Sequence, residues 1–178
     1  MDLSIKNNRL AFLTIFNGLS VLLVGLVAGL GLTFSLLEAV ALWPFPTWEV
    51  TLPGSVRGWQ AAHVGGILNG VMIAVSGLLM IKLELRETKS FLVGWGMIIT
   101  GWANTVFYWA GNFSSNRGLS VSDTVFGEGD LLGSLAYLIG LAGMIFTFIA
   151  ITLLVVQSYQ KVKSYIISVL NSYELSEN

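Results

Sequence analysis

Few side chains in this sequence can do chemistry, and those few sit in apolar surroundings. His63 is the only histidine. It lies in W-Q-A-A-H-V-G-G-I-L-N-G, from Trp59 to Gly70, at the start of an apolar run that continues to Ile81. Asn69 follows in the same run. Asn104, Tyr108 and Asn112 recur every fourth residue in a later one, so they share one helix face. An imidazole is a nitrogen ligand that is costly to bury unless something bonds it. Three polar side chains on one stripe of an apolar helix face protein, ligand or water rather than lipid. Together these residues describe a pocket with one metal ligand and several hydrogen-bonding groups.

The chain has no cysteine, so disulfides, thiolate metal sites and cysteine nucleophiles are excluded together. With a single histidine, neither a histidine-only zinc site nor a bis-histidine haem can be built within one chain. A haem with one proximal histidine and an open sixth position can. Ala62, Gly66, Gly70 and Ala74 form a smooth ridge beside His63 that suits another backbone or a flat ligand. We read His63 as the ligand of a haem iron, with Gly66 and Gly70 as walls of the slot. Arg57 and Arg117 fall at the same end of the helices and are placed to meet the propionates. His63 and Asn69 are six positions apart, so their directions differ by about 120° on a helix. They do not converge on one iron, and the expectation is a haem between subunits, with His63 from one chain and Asn69 and Tyr108 from its neighbour.

The elements that must hold these residues are membrane helices. The chain has 178 residues, of which 54% are hydrophobic and 11% charged, against roughly 25% charged in soluble domains. Its mean hydropathy is +0.77. Four charge-free runs are long enough to cross a bilayer, which takes about 20 helical residues: Leu10–Leu37, Gly58–Ile81, Ser90–Asn112 and Leu131–Gln157. The expected fold is an all-α, four-transmembrane-helix bundle forming one membrane domain over 1–178, with a tail at 158–178 that lies at the interface and then frays. Helix 1 is too long for the core of a signal peptide and is read as retained. The net charge of −1 points to no partner, and nothing resembles a nucleic-acid surface.

Lys6, Arg9, Lys82, Arg86, Lys89, Lys161 and Lys163 fall on one side of the helices, and only Arg57 and Arg117 on the other. The positive-inside rule therefore puts both termini in the cytoplasm. The expected location is a bacterial inner (cytoplasmic) membrane, crossed several times. Trp43, Trp48 and Trp59 read as headgroup anchors, Gly25 and Gly29 as a helix-packing face, and Asn17 as a polar group bonded to a neighbouring helix. The segment Phe113–Asp130, rich in glycine and small polar residues, reads as a cap over the pocket. Asp130 reads as the N-cap of the last helix.

Five motifs resemble the styrene oxide isomerases. They are P-G-S-x-x-G-W-x-x-A-H from Pro53 to His63, G-x-x-L-N-G from Gly65 to Gly70, G-W-x-N-x-x-F-Y at Gly101–Tyr108, N-F-S-x-N-R-G-L at Asn112–Leu119 and F-G-x-G-D at Phe126–Asp130. They span about the middle half of the chain. The resemblance implies a homotrimer with ferric haem b between subunits and His63 as axial ligand. Asn69 and Tyr108 would orient the oxygen of a hydrophobic epoxide, and Asn104, Asn112, Trp102 and Phe107 would line the substrate pocket. The implied reaction is a Meinwald rearrangement of an aryl epoxide, such as styrene oxide, to an aldehyde, such as phenylacetaldehyde, with the iron as Lewis acid. The sequence departs from the family pattern before Pro53, at Gly66 and Glu128 where proline is expected, and over Trp109–Gly111, which bears on substrate size. Two other readings use the same residues. A haem electron-transfer or sensor protein would have the sixth position filled, with Met72 and Tyr108 as candidate ligands. A structural or transport subunit would keep His63 as a buried hydrogen-bonding residue.

Overall fold

The computed structural model describes the backbone of residues 3–176 and the side chains of residues 8–172. The side chain of Lys6 and the chain end at Glu177 and Asn178, on which two expectations above bear, lie outside the described residues. The order is α1 (Leu3–Leu37), β1 (Ala39–Val40), β2 (Trp48–Glu49), α2 (Val56–Lys82), α3 (Glu87–Phe113) and α4 (Leu131–Ser176). Four helices among the described residues are long and apolar enough to cross a membrane. The architecture is all-helical apart from one small hairpin.

The helices pack in pairs, α1 on α2 and α3 on α4, with α2 and α3 joining the pairs. Lipid is as apolar as a leucine side chain, so the association of such helices depends on close van der Waals fit rather than on the hydrophobic effect. Glycine supplies the fit between α1 and α2. A Cβ on Gly66 would lie 2.6 Å from the Gly25 Cα, one on Gly18 would lie 2.5 Å from the Ala74 nitrogen, and one on Gly70 would lie 2.6 Å from the Leu22 Cβ. The smooth ridge of α2 is therefore occupied by another backbone. This corrects the assignment of Gly66 and Gly70 to a haem slot: α1 fills the space a flat ligand would need.

Three further departures from the sequence reading have simple causes. The first outer connection folds back as an antiparallel hairpin, pairing Ala39 with Glu49 and Val40 with Trp48. α2 starts at Val56 because Ser55 takes extended backbone angles and its hydroxyl accepts the Gly58 N–H, the usual N-cap geometry. α4 does not stop at Gln157. Its 46 residues span roughly 70 Å, more than twice a hydrocarbon core. No glycine or proline follows Gly143, so nothing in the chain interrupts the helix. At the α2–α3 end of the bundle Lys89 Nζ donates to Gln157 Oε1 at 2.7 Å and Lys161 pairs with Glu84 at 2.6 Å, tying the short α2–α3 turn to α4.

Gly66→Ala should push α1 from α2 and lower the unfolding midpoint in detergent. The expected cost is about 1–3 kcal/mol, typical of overpacking. Val64→Ala, at a residue 46% exposed on the same helix, should change it by less than about 0.5 kcal/mol. Equal midpoints for the two variants would contradict this account of the α1–α2 contact.

Candidate active site

α2 sends its polar side chains in two directions. On the side facing α1, His63 Nδ1 lies 2.9 Å from the carbonyl oxygen of Gly25. A carbonyl only accepts, so Nδ1 carries the proton and the Nε2 lone pair is left for a metal. The ring fits because Gly29 has no side chain: a Cβ there would lie 2.6 Å from Nδ1. Gly25 and Gly29 thus divide the work of the α1 packing face, one meeting the α2 backbone and the other the imidazole. His63 is half-buried.

On the side facing α3, Asn69 is buried and its Nδ2 donates to the Gly65 carbonyl at 2.7 Å. Asn104 Nδ2 in turn donates to Asn69 Oδ1 at 2.8 Å. The ring of Tyr108 occupies the place where Gly65 would carry a Cβ. Asn69, Asn104 and Tyr108 therefore meet around Gly65. The Tyr108 ring touches Phe107 edge to face at a centroid distance of 5.4 Å, and no group among the described residues accepts from its hydroxyl.

Two cavities share Phe107, Tyr108 and Leu119 as a wall. One cavity, of about 400 Å³ and termed the outer cavity, has a mixed lining in which Arg57, Arg117, Ser55, Ser114, Ser115 and Asn112 supply the polar groups. None of its lining residues is an aspartate or glutamate. The Arg117 guanidinium stacks 4.3 Å over the Phe126 ring, a cation–π contact that steadies a positive head at the rim. The second cavity, of about 330 Å³, lies between α3 and α4. It is mostly apolar, with Leu141, Met144 and Gly140 opposite Phe107, and its polar groups are Asn104, Tyr108 and Tyr137.

Asn112 joins α3 to the start of α2. Its Oδ1 accepts the Ser55 N–H at 2.8 Å, which fixes the orientation of the amide. Its Nδ2 is then buried without a partner among the described residues, packed against Gly54. Beside it Trp59 is buried rather than at the headgroups: its indole N–H donates to the Pro53 carbonyl at 3.1 Å and its ring packs edge-on against Trp109 and Phe113. Trp43, by contrast, is 94% exposed.

Trp102 is not in this pocket. It borders neither cavity, and its indole N–H donates to Asn17 Oδ1 at 2.9 Å, which is also the interhelical bond expected of Asn17. Among the described residues no three of His, Cys, Asp or Glu gather around a metal position. The single Nε2 donor accordingly fits a metal that brings its own equatorial ligands.

The cap over the outer cavity is organised by Asn116 and Asp130. Asn116 is fully buried; its Nδ2 donates to the Ser120 and Ser122 carbonyls, and its Oδ1 accepts from Ser114 Oγ and the Gly118 N–H. Sequence reasoning passed over it, although the Asn116-Arg117-Gly118 run is a turn signal; Arg117 and Gly118 both take left-handed angles, at φ 61° and 66°. Asp130 caps α4 as expected, accepting from the Gly133 and Ser115 N–H groups. These two bonds, Gly133 first, hold its carboxyl below the usual carboxylate range, helped by the Ser114 and Ser115 hydroxyls.

With this geometry in place, comparison with known proteins is decisive. A family model for styrene oxide isomerase matches residues 10–159. The styrene-oxide isomerase of Pseudomonas fluorescens is 35% identical over 148 residues, covering 83% of this chain and 86% of that protein. The chain belongs to the styrene oxide isomerase family. The match takes in α2, α3, both cavities and most of α1, and ends part-way along α4.

Asp130→Ala should lower the thermal midpoint in detergent at neutral pH. A depressed carboxyl stabilises above its unfolded pKa, near the ordinary aspartate value of 3.8, and that stability is lost as pH falls through the lower folded value. The gap between the wild type and the variant should therefore close only in acid; a gap constant down to pH 2 would exclude the charge as its source.

Proposed function

We propose that this protein isomerises a hydrophobic aryl epoxide of the styrene oxide kind to the corresponding aldehyde, within a membrane, with both termini on the cytoplasmic face. The observation that carries the reading is the Tyr108 hydroxyl. It has no hydrogen-bond partner among the described residues, packs against Gly65 next to the Asn69–Asn104 pair, and its residue forms part of the wall of a mostly apolar cavity. Polar groups in a membrane protein are seldom left unbonded unless a ligand completes them.

The rearrangement opens the benzylic C–O bond and moves a hydride from the neighbouring carbon, so that substrate and product have the same atoms. Its demands are a polarised epoxide oxygen, a fixed substrate and an absence of water. In this reading Tyr108 Oη donates to the oxygen from the cavity wall as its negative charge grows, and Asn69, which borders neither cavity of the single protomer, adds its remaining Nδ2 hydrogen where a neighbouring subunit completes the pocket. Phe107, Leu119, Leu141 and Met144 receive the aryl group in the 330 Å³ cavity and keep water from trapping the benzylic cation as a diol.

The residues fit ferric haem b as the resident cofactor. His63 Nε2 would hold the iron, and Arg57 and Arg117, around a cavity lined by no acidic residue, suit its propionates. When bound, the haem supplies a Lewis acid for the epoxide oxygen. Because His63 faces α1 while Asn69 and the α3 residue Tyr108 lie on the other side of α2, this reading has subunits of a homotrimer completing each other's pockets.

The test is an absorption spectrum of detergent-purified protein before and after styrene oxide, with phenylacetaldehyde followed by gas chromatography. A Soret band with aldehyde is expected. A Soret band without aldehyde from any aryl epoxide would favour an electron-transfer or sensor role, and no Soret band from haem-sufficient cells would remove His63 as ligand. Two variants refine the assignment. His63→Ala should lose haem and activity together. Tyr108→Phe should keep the Soret band and lower kcat by about 100-fold, the usual effect of removing one preorganised donor; unchanged kcat would take Tyr108 out of the chemistry.

A further inference from the structure

Asn104 was expected to line the substrate pocket, and one edge of it does. Its amide nitrogen is otherwise engaged. It donates to Asn69 Oδ1 at 2.8 Å, while Asn69 Nδ2 donates to the Gly65 carbonyl at 2.7 Å. The two bonds specify the same orientation of the Asn69 amide. A carbonyl neighbour can only accept, so it selects the nitrogen end; an N–H neighbour can only donate, so it selects the oxygen end. Once both are made, the second Nδ2 hydrogen is the one donor Asn69 has left. Gly65, whose carbonyl is one anchor, is also the residue against which the Tyr108 ring rests. The orientation of Asn69 and the position of Tyr108 thus share a support.

We infer that Asn104 is a positioning residue for the isomerisation: its hydrogen bond to Asn69 Oδ1 aims the remaining Asn69 N–H and strengthens it as a donor. The inference rests on the reading that Asn69 donates to the epoxide oxygen. The strengthening follows from cooperativity, since drawing electron density to the amide oxygen leaves the amide hydrogens more positive. It acts mainly as charge builds on the epoxide oxygen, so its loss affects kcat more than KM. Asn104 borders the cavity, but the role inferred for it is the one exerted through Asn69.

A double-mutant cycle on the haem-loaded, full-length protein separates these possibilities. Asn104→Ala is expected to lower kcat by about tenfold, a typical effect of one hydrogen bond to a group gaining charge, with KM within about twofold and the Soret band unchanged. In the Asn69→Ala background the same change should cost nothing further, because there is no longer an amide to aim. A second variant, Asn104→Leu, keeps about the same size and has no group that can donate. It should reproduce the loss, which guards against a collapse peculiar to alanine. Thermal midpoints of all four proteins of the cycle are measured alongside, since a residue that only holds the fold lowers them without the split between kcat and KM.

Additive losses in the two backgrounds would overturn the inference and leave Asn104 as a substrate contact or a packing residue. Full kcat in Asn104→Ala, or in Asn69→Ala alone, would also overturn it. A wild-type protein that makes no aldehyde sinks the proposed reaction and the inference with it, whereas an active wild type with an additive cycle sinks the inference alone.

Discussion

The close approach of α1 and α2 is the constraint on which the rest of the site depends. Glycines on both helices let the backbones meet where lipid would otherwise compete for the surface. The same approach brings the Gly25 carbonyl within hydrogen-bonding distance of His63 Nδ1. Packing and chemistry are therefore one event at this point. Were the helices further apart, the imidazole would lose both its partner and its fixed tautomer. The backbone carbonyl orients the imidazole without adding a charge to an apolar surrounding.

The second constraint is polar satisfaction. In apolar surroundings every hydrogen-bonding group must find a partner, and most of them here do so locally. Thr14, Ser20, Thr33, Ser76 and Thr105 return their hydroxyls to the carbonyl four residues earlier on their own helix. Groups that fail to do this stand out against that background. The Tyr108 hydroxyl and the Asn112 amide nitrogen are two such groups, and both border the cavities at the outer end of α3.

The loop between α3 and α4 shows how a polar segment is kept rigid at the edge of a membrane. Asn116 at its centre and Asp130 at its end satisfy the backbone groups that no helix or strand pairs. Ser114 lies between the two, 2.9 Å from the Asn116 oxygen and 3.0 Å from the Asp130 carboxylate. The cap positions Arg117 over the outer cavity, so a structural network in the loop sets the electrostatics of the pocket below it.

Much of this protein was legible in the sequence by itself. Hydropathy gave four crossing helices, because length and the absence of charge are all a bilayer requires. Helical spacing put Asn104, Tyr108 and Asn112 on one face and separated His63 from Asn69 by direction. Turn chemistry marked Asp130 as a cap. The tertiary structure decided what each surface faces. The ridge at Gly66 and Gly70 reads equally well as a wall for a flat ligand or for a helix, and only packing shows that α1 takes it. Trp102 has the position of a pocket residue in the motif, yet it bonds to Asn17 across the helix pair. Asn69 and Asn104 are 35 residues apart and carry no sign in the sequence that they meet. Periodicity assigns a residue to a face of its own helix, but which neighbour lies against that face is settled by contacts between segments distant in the chain.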